Sequence, residues 1–302
     1  MTETTPDRRG LLAALSAYAL WGVFPLYWAL LASVPALQII AHRVLWCVVF
    51  VLAYLALRGM LPALREAFRN PKLLRLLGLS AGLIGINWAV YIWAVTHGEV
   101  VEASLGYFIN PLVSVVLAVL VVGERLRAVQ WGAVGLAALG VLWLSTRHEG
   151  VPWIALVLAF TFGFYGLVRR YAVIDAIPGL AVENLLLLPL ALGWLVWVEL
   201  AGDASFLHQP AWKDVLLIIG GALTALPLIG FAYGARRIPL SLIGLLQYIA
   251  PTLQLLCGVL LLGEPFVAEQ AIGFGMIWCG LAIYAVDGWR RARRRVLVAA
   301  GA

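Results

Sequence analysis

Long apolar runs, separated by brief polar or Pro/Gly punctuation, make up nearly the whole chain. Read from those interruptions, the sequence predicts ten helices, near residues 10–32, 36–57, 73–95, 100–122, 128–146, 151–168, 178–199, 213–233, 239–262 and 268–288. Each approaches the roughly 20 residues that span a bilayer. Most linkers are very short, and the longest polar stretches are the loops 58–72 and 200–212 and the tail 289–302. The pattern leaves no room for an extramembrane domain. Arg8-Arg9-Gly10 before the first run imitates a twin-arginine export signal. The run is too long for a signal core, so a retained first helix is expected.

Composition agrees. Of 302 residues, 64 % are apolar and 12 % charged, against roughly 45–50 % and 25 % in a soluble domain. A soluble enzyme, a disordered chain and a nucleic-acid binder are thereby excluded. The net charge of +6 is distributed for a membrane. With the N-terminus placed in the cytoplasm, 18 of the 21 Lys and Arg residues fall on that side. Only Arg147 and Lys213 lie opposite, and Arg43 lies inside a span. By the positive-inside rule both termini are cytoplasmic.

The chain also repeats itself. Ile109-Asn110-Pro111 precedes Gly123-Glu124, and Ile249-Ala250-Pro251 precedes Gly263-Glu264 at the same spacing, offset by 140. The offset continues through Gln130/Gln270 and Gly140/Gly280, with a fainter echo of Trp21-Gly22 in Phe162-Gly163. The expected fold is therefore an all-α integral membrane protein of ten transmembrane helices, divided into repeats over 1–148 and 149–302. Five helices per repeat is odd, so the halves are inverted, a plan of secondary transporters with substrate at the midplane.

These residues also carry a resemblance. Ala17-Tyr18-Ala19-Leu20-Trp21-Gly22, His42-Arg43-Val44-Leu45-Trp46, Asn87-Trp88, the string Glu102 to Pro111 and Gln247-Tyr248-Ile249-Ala250-Pro251 resemble the EamA-type family of the drug/metabolite transporter superfamily, in its RarD permease branch. The match runs nearly end to end. Gln38 stands where the family pattern leads one to expect an acid, so a carboxylate role there is lost. The resemblance implies a ten-helix permease of the plasma (inner) membrane that carries a small metabolite or drug.

Polar residues within spans supply the candidate site, because intramembrane charges are costly and face interiors or watery cavities. Arg43 lies about 10 Å below the outer surface, at 1.5 Å per residue. It is expected to hold an anionic or polar substrate group, or to pair with a carboxylate. Glu102 is favoured by depth, with Glu183 as the alternative. His42 is a candidate titrating group. Pro111 and Pro251 are expected to interrupt their helices near the midplane. Asn110, Gln247 and Tyr248 beside them, with Asn87, Trp88 and Tyr107, complete the expected substrate-binding set. The Gly-Glu pairs read as hairpin corners, and Gly230–Gly234 and Gly275–Gly280 as close-packing faces.

No metal site or cofactor is expected from the scattered Cys and His residues, and no phosphate-binding loop is present. The leading expectation is a secondary-active or facilitative transporter working by alternating access. Proton coupling through Glu102 or Glu183, facilitated diffusion and exchange all fit it. An integral-membrane enzyme is the alternative, weakened by the scatter of its polar groups.

Overall fold

The computed structural model describes residues 7–122, 126–147, 151–238, 242–243 and 246–300, with side chains for these except 118, 122, 147 and 288–300. The described chain is helical throughout: α1 (Arg8–Ala29), α2 (Ala36–Leu57), α3 (Leu61–Arg69), α4 (Pro71–Thr96), α5 (Val100–Leu117), α6 (Ala128–Arg147), α7 (Trp153–Tyr171), α8 (Ala176–Ala201), α9 (Ala211–Ala235), α10 (Ile249–Leu256) and α11 (Ala268–Ala300). Nine of them are long and apolar enough to cross a membrane, and Ile249–Leu261 adds a shorter apolar segment. Side chains such as Leu142, Leu190 and Val196 stand exposed on the outside of the bundle, where lipid takes the place of water.

Three features differ from the sequence expectation. The stretch 58–72 is not a loop but holds α3, whose Ala67 packs inward while Arg65 and Arg69 stay exposed. Nine residues are too few to register as an apolar run. The basic stretch after 288 is not a detached tail through residue 300, because α11 continues to Ala300. The ninth span is not one helix over 239–262. A turn at 247–248 precedes α10, which puts Pro251 in its first turn, where a missing N–H costs nothing. Pro111, by contrast, sits inside an unbroken α5. The irregularity that the halves share is a π-turn, at Ala118–Val122 after α5 and Cys257–Leu261 after α10. The Gly123-Glu124 corner lies outside the described residues.

Helix packing obeys the inverted repeat. With α1, α2, α4, α5 and α6 set against α7, α8, α9, α10 and α11, exchanging the halves maps each major packing pair onto another. α5 rests on α7 as α10 rests on α1, α4 on α7 as α9 on α1, and α2 on α9 as α8 on α4. The pairs α2/α8, α5/α10 and α6/α11 map onto themselves. The close approaches repeat at atomic detail. A Cβ on Gly140 would lie 2.8 Å from the Gly273 carbonyl oxygen, and one on Gly280 would lie 2.7 Å from that of Ala133. Gly22 faces Leu253 as Gly163 faces Val113, which accounts for the Trp21-Gly22 and Phe162-Gly163 echo. Gly230 and Gly234 pack on α1 as expected, whereas Gly275 faces open space.

Candidate functional site

Arg43 is buried in α2 at a layer to which both halves contribute. Its Nε donates to Thr224 Oγ1 of α9 at 2.8 Å, and that hydroxyl donates back to Gly220 O at 3.0 Å. Gly221 permits the approach, since a Cβ there would fall 2.4 Å from the Trp46 carbonyl carbon. The guanidinium carbon lies 4.2 Å from the ring centroid of Trp88 and 5.4 Å from that of Trp28. Desolvated cation–π contacts of this kind are worth about 2 kcal/mol. Tyr91, Tyr107 and Cys47 complete its electrostatic surroundings.

A hydrogen-bonded tie supports this layer. Tyr107 donates to Asn87 Oδ1 at 3.1 Å, and Asn87 Nδ2 donates to Leu158 O at 3.0 Å and Thr161 Oγ1 at 2.9 Å. Asn87 therefore uses both amide protons to join α4 to α7, while α5 supplies the Tyr107 hydroxyl. Tyr91 and Tyr107 meet edge to face at 5.7 Å. Arg43 Nη1, the Trp28 indole N–H and the Tyr91 hydroxyl remain buried without hydrogen-bond partners. Buried polar groups are nearly always satisfied, so unfilled ones call for an explanation. Of these three, one belongs to the guanidinium itself, and the other two are on side chains that interact with it.

The carboxylates expected beside Arg43 are engaged elsewhere, and Arg43 meets none among the described residues. Glu102 Oε1 accepts from the amides of Ile154 and Ala155 at 2.9 and 3.3 Å, at the start of α7. Helix N-termini attract negative charge, and depth along the sequence could not reveal that competitor. Glu183 of α8 is completely buried against Ser80, Tyr165 and Arg169. Both proposed pairings with Arg43 are thus corrected. Trp88 carries Arg43 over its ring face.

The proline-flanking residues are held in different ways. Tyr248 packs on the core formed by α5, α6, α7 and α11. Gln247 lies half-buried in the turn before α10, and Asn110 Oδ1 is buried without a partner. His42 leaves Arg43 around the helix. Its ring stands 4.7 Å from Phe206, and it lines a cavity of about 350 Å³ with Gln38, Leu195, Glu199 and Phe206. Gln38 clamps the α8–α9 connection, donating to Asp203 O and accepting from Ser205 N, both at 2.8 Å.

Sequence reading missed Thr224, Trp28, Tyr91 and Gln254, which donates to Trp21 O at 3.1 Å. One signal was available. Arg43 and Glu183 are separated by the repeat offset of 140, and Trp28 and Arg169 by 141, like Gly22 and Gly163. Among the described residues no cluster of His, Cys, Asp and Glu could hold a metal.

Comparison with known proteins is consistent along the whole chain. The profile of the EamA-like transporter family matches twice, over residues 8–146 and 150–286. The chain is 45 % identical to "Protein RarD" of Streptomyces exfoliatus over 97 % of its own length and 93 % of that protein's. It is 42 % identical to "Uncharacterized transporter YojE" of Bacillus subtilis, over 95 % and 97 %. With "Chloramphenicol-sensitive protein RarD" of Pseudomonas aeruginosa it shares 36 % identity over 94 % and 95 %. One crystal structure superposes at a TM-score of 0.60 and 22 % identity, covering 93 % of this chain and 97 % of its own, a likeness of fold alone.

Proposed function

Because the chain belongs to the EamA-like transporter family, we propose that its substrate binds in the Arg43 layer and crosses the inner membrane by alternating access. The halves are residues 1–148 and 149–302, and both termini face the cytoplasm, where 18 basic residues cluster. The observation that carries the site is Arg43 itself: a buried cation with an unfilled N–H, held over two tryptophans by helices of both halves. A guanidinium offers a fork of donors to an anionic or strongly accepting substrate group. The Trp28 and Tyr91 donors lie ready beside it. The transporter names of the relatives favour a carrier over a membrane-bound enzyme.

In this reading Thr224 orients the guanidinium, the Trp faces hold it off lipid, and Asn87 keeps α4 and α7 together as the bundle moves. Arg43→Lys keeps the charge and loses the fork and much of the stacking. The expected outcome is a folded Arg43→Lys protein whose ligand-induced thermal shifts, across a panel of small organic acids and neutral compounds, are lost or strongly reduced. Full-sized shifts in Arg43→Lys and Arg43→Ala would place the substrate elsewhere.

A further inference from the structure

Glu183 is the residue equivalent to Arg43 in the second half, at the offset of 140. Arg43 links α2 to a hydroxyl of α9, and Glu183 links α8 to a hydroxyl of α4, where Ser80 lies 2.6 Å away. The two ties are counterparts under exchange of the halves, but they differ in charge. The second sits on the side of the bundle from which α8 enters, the proposed cytoplasmic side.

The hydrogen bonds around Glu183 serve two protonation states. Ser80 Oγ lies 2.6 Å from Glu183 Oε1 and 3.0 Å from Leu77 O. A serine has one proton, so it cannot satisfy both acceptors at once. With Glu183 ionised, Ser80 donates to Oε1. With Glu183 protonated on Oε1, the acid donates to Ser80 Oγ and Ser80 donates to Leu77 O. Tyr165 OH reaches Oε2 at 3.3 Å in either state. Arg169 Nη1 stands 3.6 Å from Oε1 without a hydrogen bond. It nests over Gly179, where a Cβ would lie 2.1 Å from that nitrogen. The titratable and charged groups facing Glu183 are Tyr165 and Arg169, both from α7. α4 adds the Ser80 hydroxyl, and α2, α3 and α9 add no charge among the described residues.

We infer that Glu183, with Ser80 as its proton switch and Arg169 as its gate, binds the proton that couples transport, an inference that rests on the transporter reading. A proton enters from the cytoplasmic face past Arg169, whose side chain is 15 % exposed, and bonds to Oε1. Ser80 turns its own proton from Oε1 to Leu77 O. The carboxylate charge disappears, and Arg169 keeps its charge but loses its partner and moves toward water. That loosens the α7–α8 contact on the inner side. Release of the proton to water reverses each step, and no other reactant is needed.

Infrared spectroscopy of the purified chain in lipid nanodiscs, titrated with protons alone, tests the site. The wild type should gain one protonated-carboxyl band on acidification that Glu183→Gln lacks. Ser80→Ala and Arg169→Gln keep the carboxyl and read the same band if Glu183→Gln does not fold. Arg169→Gln should bring the band in at a pH roughly 1–3 units higher, the usual worth of a neighbouring cation. A band unchanged in Glu183→Gln, or in Arg169→Gln and Ser80→Ala, overturns the assignment, as does a carboxylate that stays ionised until the chain unfolds. A band that behaves as expected in a protein with no measurable flux defeats the transporter reading and leaves the proton site standing. Saturable flux that is indifferent to a pH gradient defeats the coupling and leaves the transporter standing.

Discussion

Removing the Glu264 side chain should unseat a helix that is remote in sequence. Glu264 follows Gly263, whose φ of +74° turns the chain out of the π-turn. Its Oε1 and Oε2 accept from Val100 N and Val101 N, each at 2.7 Å, so a residue of the second half caps α5 in the first. Glu264→Ala leaves two amides unmet near the membrane edge. An unsatisfied buried N–H costs about 1–3 kcal/mol and loss of an N-cap about 0.5–2 kcal/mol, so about 1.5–5 kcal/mol is expected in all. At about 2 °C per kcal/mol for a chain of this size, the midpoint should fall by roughly 3–10 °C. Glu264→Gln keeps one acceptor but turns an NH2 toward the second amide, so its loss should fall between the wild type and Glu264→Ala. Burial raises the Glu264 carboxyl above its ordinary range, although the amides of Val101 and Val100 pull it down. Between the unfolded and the raised folded value, the folded chain holds a proton that the unfolded chain has released. The contribution of this group to stability therefore falls as pH rises through that window, and Glu264→Gln should remove the dependence. The assay is thermal unfolding in detergent at several pH values. A Glu264→Ala protein as stable as the wild type, or a Glu264→Gln protein as damaged as Glu264→Ala, refutes the capping account.

The other predictions come from the same geometry. Gly140→Val and Gly280→Val should each destabilise the α6–α11 seam by several kcal/mol, because the new side chain meets a backbone carbonyl within 3 Å. Gly275→Ala, next to open space, should be neutral or stabilising by about 0.5–1 kcal/mol, and equal melting losses at all three sites would count against the packing. Asn87→Ala removes the hub of the α4–α5–α7 tie and should lower both melting temperature and transport, whereas full transport would make the tie incidental. Cysteines placed in 58–72 should react from the cytoplasmic face and those in 200–212 from the outside. The reverse labelling would invert the topology.

The spans were legible because membrane-length apolar runs need no tertiary information. The repeat was legible because Pro111/Pro251 and the Gly-Glu pairs hold one offset in otherwise interchangeable Leu/Val sequence. Arg43 stood out because a charge inside a span is costly. Its surroundings were not legible: Trp28, Trp88 and Thr224 come from three other helices, and a packing angle decides which of many Trp residues meets the guanidinium. Glu102 was assigned by depth, but backbone amides at the start of α7 compete for a carboxylate, and hydropathy carries no trace of them. α3 escaped because a nine-residue amphipathic helix resembles a polar linker. The ninth span was drawn as continuous because the pattern of apolar residues does not change at 247–248 where the helix breaks.

The central claim is that a carrier works through the Arg43 layer, and counterflow tests it most directly. Proteoliposomes holding wild-type or Arg43→Ala protein, matched for amount and melting behaviour, would be preloaded with single compounds from a panel of small organic acids and neutral metabolites. Uptake of the labelled compound would then be followed. The account predicts saturable uptake of at least one compound by the wild type, accelerated by the same compound inside and lost in Arg43→Ala. Linear uptake without acceleration, or counterflow undiminished in Arg43→Ala, would contradict it.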